Sequence, residues 1–163
     1  MDILTSQIRS DFSQVRFMGH LNRIWNALSD QPSELLSFDE LKERVRIGVS
    51  VYRGIKTIRT EQIIGSLNRN HEFDRDFRPI GKVSPQRWQS VNRAFYEGVS
   101  LPAIVLYKVG DVYFVVDGHH RVSVARKQGQ VFIDAEVREF KTKCKITPGS
   151  KLKDLERLCS NCS

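Results

Sequence analysis

Several features that would fix the class of this 163-residue chain at once are missing from its sequence. It has no run of about 18 uncharged apolar residues, so a membrane-spanning helix is excluded. Residues 1–4 lack the basic stretch followed by an apolar stretch that opens a secretory leader. We therefore expect a cytoplasmic protein without a membrane partner.

Motifs of familiar nucleotide and zinc enzymes are also missing. The sequence has no Walker A motif, and Gly118 is not followed by the second and third glycines of the dinucleotide-binding fingerprint. His71 and Glu72 are not followed by a second histidine at the spacing of the zinc proteases. A nucleotide or catalytic site in this chain must therefore be built in another way.

Cysteine is scarce, with 3 residues in the chain. An odd and small number does not indicate a disulfide framework. Cys159 and Cys162 form a CxxC pair near the C-terminus and Cys144 stands apart, whereas a zinc site needs a fourth ligand. We expect these cysteines to be incidental thiols in a frayed tail.

What the chain has is an ordinary globular composition with an uneven positive charge. Hydrophobic residues make up 40% and charged residues 28%, and the formal net charge is +7. Residues 1–50 carry a net charge of −1, whereas residues 51–100 and 101–163 each carry +4. Such a field favours partners that bear phosphate, either nucleotide or nucleic acid, although a solvated basic face would have the same composition.

The hydrophobic patterns divide the chain into three parts. Residues 1–50 are predicted to form a helical appendage, because an apolar stripe that ends at Trp25 and Leu28 is typical of a helix. A capping box from Ser37 to Glu40 predicts a second helix that begins near Phe38, and we expect this helix to end near residue 46. Residues 51–140 alternate strands and helices, and residues 141–163 form a basic tail with a short helix. We expect Trp25 and Trp88 to anchor the core.

The central part predicts an α+β domain with a mixed sheet and flanking helices. Ser84 and Pro85 begin a helix that Gly98 ends, and apolar runs on either side of residues 110–111 predict a hairpin. The remaining predicted elements are a strand at 55–59, a helical turn at 60–64 closed by Gly65, a long loop at 66–83, a helix at 119–127 and a strand at 131–137.

The most informative segment joins the second hairpin strand to the following helix. The first amides of a helix lack intrahelical acceptors, and Gly118 lets a ligand approach them closely. His119, His120 and Arg121 add side-chain donors, which predicts a phosphate cradle, and Asp117 is placed to hold a metal. Alternatively, Asp117 only caps the helix, Gly118 only makes a turn, and one histidine is buried while the other is solvated.

A second candidate lies in the loop at 66–83, where arginines, carboxylates and a histidine are mixed. Glu72 beside His71 is a candidate general base, and Arg69 can neutralise phosphate charge. The alternative is an exposed loop in which opposite charges pair with each other.

Residues 55–138 resemble the ParB/sulfiredoxin superfamily in the order of their predicted strands and helices. The resemblance also includes the sequence Leu-Pro-Ala-Ile at residues 101–104, which precedes the motif at residues 117–121. Gly118 and Arg121 match the Gly-x-x-Arg helix start of that superfamily. The resemblance implies a small α+β domain that binds nucleotide phosphates at this helix.

The branches of the superfamily differ at the motif. Sulfiredoxins carry a nucleophilic cysteine where His119 stands, which argues against sulfinic-acid reduction. ParB partition proteins resemble Gly-Glu-Arg-Arg at this point and continue into a DNA-binding domain, for which too few residues follow Phe140. The sequence Asp-Gly-His-His-Arg is most similar to the ADP-dependent free-serine kinases.

The kinase resemblance implies a complete set of roles. Glu72, paired with His71, would be the catalytic base, and Asp117 would hold Mg²⁺. By the same resemblance, Asp117, His119, His120 and Arg121 would hold the metal and the phosphates. To these phosphate-binding residues we add Gly118 from the helix start and Arg69 from the loop.

We therefore expect a Mg²⁺-dependent phosphotransferase or NTPase that takes ATP, ADP or CTP. The alternative is a ParB-like module that binds DNA without phosphotransfer. A third hypothesis is that the chain is a regulatory domain in which bound nucleotide orders the loop at 66–83. The oligomeric state is open.

Overall fold

The computed structural model describes residues 2–31 and 33–160. Within these ranges the elements are α1 (Ile3–Ser29), β1 (Leu36–Ser37), α2 (Phe38–Arg44), β2 (Ser50–Arg59), β3 (Ile63–Ser66), α3 (Pro85–Tyr96), β4 (Ile104–Val109), β5 (Val112–Asp117), α4 (His119–Lys127), β6 (Phe132–Phe140) and α5 (Leu152–Ser160). A 3₁₀ turn, Thr60–Gln62, links β2 to β3. None of the described helices has both the length and the apolar character needed to cross a bilayer.

The six strands form one mixed sheet in the order β1-β3-β5-β4-β6-β2. The β3–β5, β1–β3 and β4–β6 pairs are parallel, whereas the β4–β5 hairpin and the β2–β6 pair are antiparallel. The predicted α+β class with a mixed sheet, flanking helices and an N-terminal helix is confirmed. The central position of β5 places the segment after Asp117 beside the end of β3 and the start of β4.

Helices cover both faces of the sheet. On one face, α1, α3 and α4 pack over a core that includes Phe12, Trp88, Leu106 and Val115. On the other face, α2 and α5 pack over a second core. Alternate residues of β4 and β5 contribute to the two cores, which is the consequence of the two-residue period of a strand.

The capping signals that start α2 and α3, and the glycine that follows α3, are confirmed. The Ser37 hydroxyl accepts from the amide of Glu40, and α2 ends at Arg44, two residues before its predicted end. Pro85 opens α3, whose cap is the Ser84 hydroxyl, and Gly98 follows the helix with φ of 65°. These features depend on neighbours in the chain, so sequence reasoning finds them.

The helical turn predicted for residues 60–64 is wrong beyond the 3₁₀ turn. Ile63 and Ile64 are buried in β3, which pairs with β5. A short buried apolar run does not show whether it is a strand or a helix. Gly65 is needed for packing, because a Cβ there would lie 2.3 Å from the Phe114 ring.

The two tryptophans differ, and only one anchors the core. Trp88 is fully buried, and its indole donates to Ser123. Trp25 is 68% exposed, so the prediction that it is a core residue is wrong. The first half of α1 packs on the core through Phe12, whose ring centroid lies 5.4 Å from that of Trp88. The apolar stripe that carries Trp25 lies on a different, exposed side of the helix.

The expectation of unpaired, incidental cysteines is also wrong. Cys144 and Cys159 form a disulfide with a Cα–Cα distance of 5.0 Å. The cause is tertiary, because α5 packs on the sheet through Leu155, which is fully buried, and this brings Cys159 to Cys144. Cys162 lies outside the described residues.

The domain boundaries at residues 50 and 140 stay predictions.

Candidate functional site

Gly118 joins β5 to α4 in a conformation that requires glycine. Its φ is 108°, and a Cβ at this position would lie 2.4 Å from Cγ2 of Ile104. The chain therefore turns tightly against β4 before the helix begins. No side chain of a described residue caps α4. The first amides of the helix are thus left to a ligand or to solvent.

A cleft of about 450 Å³ opens beside this turn. The predicted motif residues share it with residues from the loop at 66–83 and from α3. Its lining residues are Arg69, Gln86, Arg87, Ser90, Val91, Asp117, Gly118, His119, His120 and Arg121. The structure thus brings together all six residues predicted to bind phosphate. Their contact with a phosphate stays a prediction.

His119 is the buried histidine of the pair, at 4% exposure. Its Nε2 lies 2.8 Å from the Ser66 hydroxyl oxygen, which also accepts from the amide of Arg69. The Phe73 ring stacks on the imidazole at a centroid distance of 6.1 Å. Burial, reinforced by the Arg69 charge, lowers the pKa of His119 to about 4. This neutral side chain ties α4 to the start of the loop.

His120 has a different environment. Its Nε2 is buried and has no hydrogen-bond partner among the described residues. Burial lowers its pKa to about 4, and the charges of Arg69 and Arg87 lower it further in the same direction. A polar atom left without a partner in such a place normally has a ligand or a water to satisfy it. His120 is therefore the side chain of the motif with unused hydrogen-bonding capacity.

Arg121 already has protein partners. Its guanidinium donates to the carbonyl oxygens of Pro102 and Ala103 at 2.5 and 3.1 Å, and to Asp117 Oδ2 at 2.5 Å. These contacts hold the segment before β4 against α4. They also neutralise Asp117, whose side chain is 69% exposed. A ligand that reaches Arg121 therefore meets a guanidinium that is fixed in position.

The described residues do not form a metal centre of their own. They contain no group of three or more histidine, cysteine, aspartate or glutamate side chains that could hold an ion. The Asp117 carboxylate is ion-paired with Arg121. Mg²⁺ often binds a protein through one or two carboxylates and the phosphates of its nucleotide, and Asp117 is the acidic residue that lines the cleft. Magnesium binding stays a prediction.

Glu72 lies at the edge of the cleft, not among its lining residues. Its Oε2 is 2.9 Å from Nη2 of Arg69, close enough for an ion pair but outside hydrogen-bond geometry. His71 is exposed, with Nε2 3.3 Å from Nδ2 of Asn70. The chain between Glu72 and Gly81 is closed by hydrogen bonds from Ile80 and Gly81 to the Glu72 carbonyl. The loop is thus folded on itself, and the catalytic roles of Glu72 and His71 stay predictions.

Sequence reasoning missed the contribution of α3. Arg87 and Ser90 line the cleft from this helix, and Arg87 adds a second guanidinium near His120. The available signal was the polar side of α3, because Trp88 and Val91 mark its apolar side. That signal does not say which element the polar side faces.

Comparison with solved structures gives a similarity of fold. No family model matches the chain, and no curated protein matches it. Among solved structures, it is similar to sulfiredoxin from Arabidopsis thaliana, with 17% sequence identity and a TM-score of 0.41. The alignment covers 53% of this chain and 86% of that chain. The similarity concerns the fold alone and does not reach the kinase branch named above.

Proposed function

We propose that this protein binds the phosphate groups of a nucleotide in the cleft at the start of α4. The observation that carries the proposal is the unpartnered Nε2 of His120, a residue that lines the same cleft as Arg69 and Arg87. An oxyanion there would accept hydrogen bonds from the imidazole and the guanidinium groups. It would also lie near the uncapped amides that follow Gly118.

The charges of the cleft favour an anion. Arg69 and Arg87 lower the pKa of His120, which means that the potential at its ring is positive. Asp117, the acidic lining residue, is neutralised by Arg121. A bound phosphate would offset these positive charges, so it should raise the pKa of His120.

The size of the cleft favours a nucleotide over a free phosphate ion. Small-molecule sites commonly measure about 300–1,000 Å³. The cleft, at about 450 Å³, has room for more than the phosphates. Val91 supplies an apolar wall on which part of the nucleoside can pack. ATP, ADP and CTP are the candidates.

Phosphoryl transfer is the second candidate, favoured by the ion pair between Arg69 and Glu72. If Arg69 turns to a bound phosphate, the Glu72 carboxylate is released beside the cleft. It would accept the proton of an acceptor hydroxyl while that oxygen bonds to phosphorus and the nucleotide leaves with one phosphate fewer. Positioning and charge neutralisation supply most of the acceleration in such reactions.

Nucleotide binding is tested by thermal shift with ATP, ADP, CTP and GTP, each with and without Mg²⁺. A ligand that binds the folded state raises the melting temperature. Arg87→Ala should weaken binding about 10- to 100-fold, because a hydrogen bond to a charged group contributes about 1.5–3 kcal/mol. Arg157→Ala is the control, since its side chain is 81% exposed on α5 and it removes the same charge.

A second measurement follows the His120 ring by NMR. Saturating nucleotide should raise its pKa from about 4 toward the ordinary histidine value. A flat thermal panel together with an unchanged His120 pKa would overturn the proposal. If DNA instead stabilises the protein and the effect falls steeply with salt, the nucleic-acid alternative replaces it.

Transfer is tested separately with Glu72→Gln. We expect this variant to bind nucleotide like the wild type and to lose turnover. If Glu72→Gln turns over as fast as the wild type, Glu72 is not the catalytic base. If the wild type binds nucleotide but shows no turnover, the protein is a nucleotide-binding domain without phosphotransfer activity.

A further inference from the structure

The second half of α1 exposes a continuous apolar stripe. Six large side chains along it have exposed fractions between 45% and 82%. They are Phe17, Met18, Leu21, Ile24, Trp25 and Leu28. This set is called the α1 stripe below. Large apolar side chains gathered on one surface of a protein usually mark an interaction site.

The stripe has the spacing of a helix that pairs with another helix. Met18, Leu21, Trp25 and Leu28 fall at the a and d positions of two successive heptads, and Phe17 and Ile24 fall at the flanking g positions. The charged residues of this half of the helix, Arg16 and Arg23, both fall at f, the position farthest from the seam. No charge therefore opposes the approach of an identical helix.

The stripe does not face the sheet. The side of α1 that packs on the core carries Ile8, Phe12, Val15 and Gly19. Gly19 lies against Ile80 and Pro79, so closely that a Cβ there would be 3.0 Å from each. The next residue of this side, Asn22, donates to Asp74 in the loop at 66–83. Its own domain therefore covers a different side of the helix.

The exposed area is close to what one partner contributes to a stable interface. The exposed fractions of the six side chains correspond to about 700 Å² per copy, against about 800 Å² for a standard interface and about 300–600 Å² for the largest patch on a typical monomer. Two copies joined through the stripe would bury at most about 1,400 Å² in total, which lies inside the range of specific complexes.

Pairing would not have to form the helix first. An isolated helix of 12–15 residues is marginal because its nucleus is costly. Here the first half of α1 is already held by the core, and Asp2 caps its start. The second half continues this folded helix, so the ordering cost of association is small.

We propose that the α1 stripe pairs with the α1 stripe of a second copy of this chain, forming a symmetric dimer. A two-fold interface needs only a surface that is complementary to itself. An uncharged heptad seam meets that condition.

Sedimentation of the full chain between about 1 and 500 µM tests the proposal, because an interface of this size should be occupied within that range. We expect a dimer for the wild type. Leu21→Lys places two ammonium groups in the seam and should weaken the dimer at least 100-fold. Ala27→Lys adds the same charge to the same helix outside the seam, so it should leave the dimer unchanged. Leu28→Lys, at a side chain 82% exposed, repeats the test where folding is least at risk.

Tryptophan fluorescence gives an independent readout. Trp25 should shift to shorter wavelength as the concentration rises, while the fully buried Trp88 contributes a constant signal. A wild type that stays monomeric at about 500 µM overturns the proposal, since an interface of this area should then be populated. A dimer that survives both lysine substitutions, or that leaves the Trp25 emission unchanged, uses another face and overturns it as well.

Discussion

Replacing Gly118 by alanine tests the turn on which the candidate site depends. The new Cβ would lie 2.4 Å from Cγ2 and 2.8 Å from Cβ of Ile104, a fully packed residue of β4. These atoms belong to the rigid part of a β-branched side chain, so α4 or β4 must shift. The backbone at φ of 108° is also a conformation that alanine disfavours.

The expected loss of stability has two parts. A strained backbone costs about 1–3 kcal/mol, and an overpacked contact costs about 1–3 kcal/mol more. We therefore expect Gly118→Ala to lower the free energy of unfolding by about 2–6 kcal/mol. For a chain of this length that corresponds to a fall in melting temperature of about 10 °C.

Gly129→Ala, at the other end of α4, is the matched control. Its φ is 70°, but a Cβ there would meet no atom within 4 Å. It should therefore show the backbone part alone, about 1–2 kcal/mol. Urea unfolding of both variants, followed by circular dichroism, gives the difference.

If the two alanine variants lose the same stability to within about 0.5 kcal/mol, the contact between the new Cβ and Ile104 costs nothing and the predicted clash is refuted. The role of the turn in the site is refuted if Gly118→Ala keeps full nucleotide affinity while the wild type binds. In that case the close approach at the turn would be irrelevant to the cleft.

Three further predictions concern single groups. His119 has a folded-state pKa of about 4 against an ordinary 6.5, so the unfolded chain binds the proton first. The contribution of His119 to stability should fall as pH drops from 6.5 to 4, by about 2–3 kcal/mol at pH 4.5, in addition to a similar loss from His120, whose pKa is also about 4. Urea midpoints of His119→Asn should therefore depend less on pH than those of the wild type; an equal slope would contradict the assignment. Reducing the Cys144–Cys159 bond should cost about 3 kcal/mol for its separation of 15 residues, and Cys144→Ser should match the reduced wild type. Arg121→Lys should lower stability by about 1–3 kcal/mol in thermal melts, because a lysine does not reproduce the guanidinium fork; an unchanged melt would refute its bracing role.

The parts of the fold that follow from near neighbours were predictable. The caps at Ser37 and Ser84, the hairpin between β4 and β5, and the start of α4 after Gly118 all depend on residues within a few positions. Strand β3 was not predictable, because Ile63 and Ile64 become a strand only by pairing with β5.

The candidate site shows the same division. The motif from Asp117 to Arg121 marks a helix start in the sequence, and the cleft lies there. The sequence left open which histidine is buried. Ser66 and the Phe73 ring, both distant in the chain, are the contacts of His119 that decide it.

By itself the sequence determined the α+β class, the helix boundaries set by capping residues, and the strand–glycine–helix turn with its polar side chains. Only the tertiary structure decided that Arg69 and Arg87 meet at His120, that Cys159 reaches Cys144, and that Trp25 remains exposed. The reason is physical. Caps and turns are satisfied by atoms a few residues away, whereas burial, pKa shifts and cross-links depend on which surfaces the packed sheet and helices bring together.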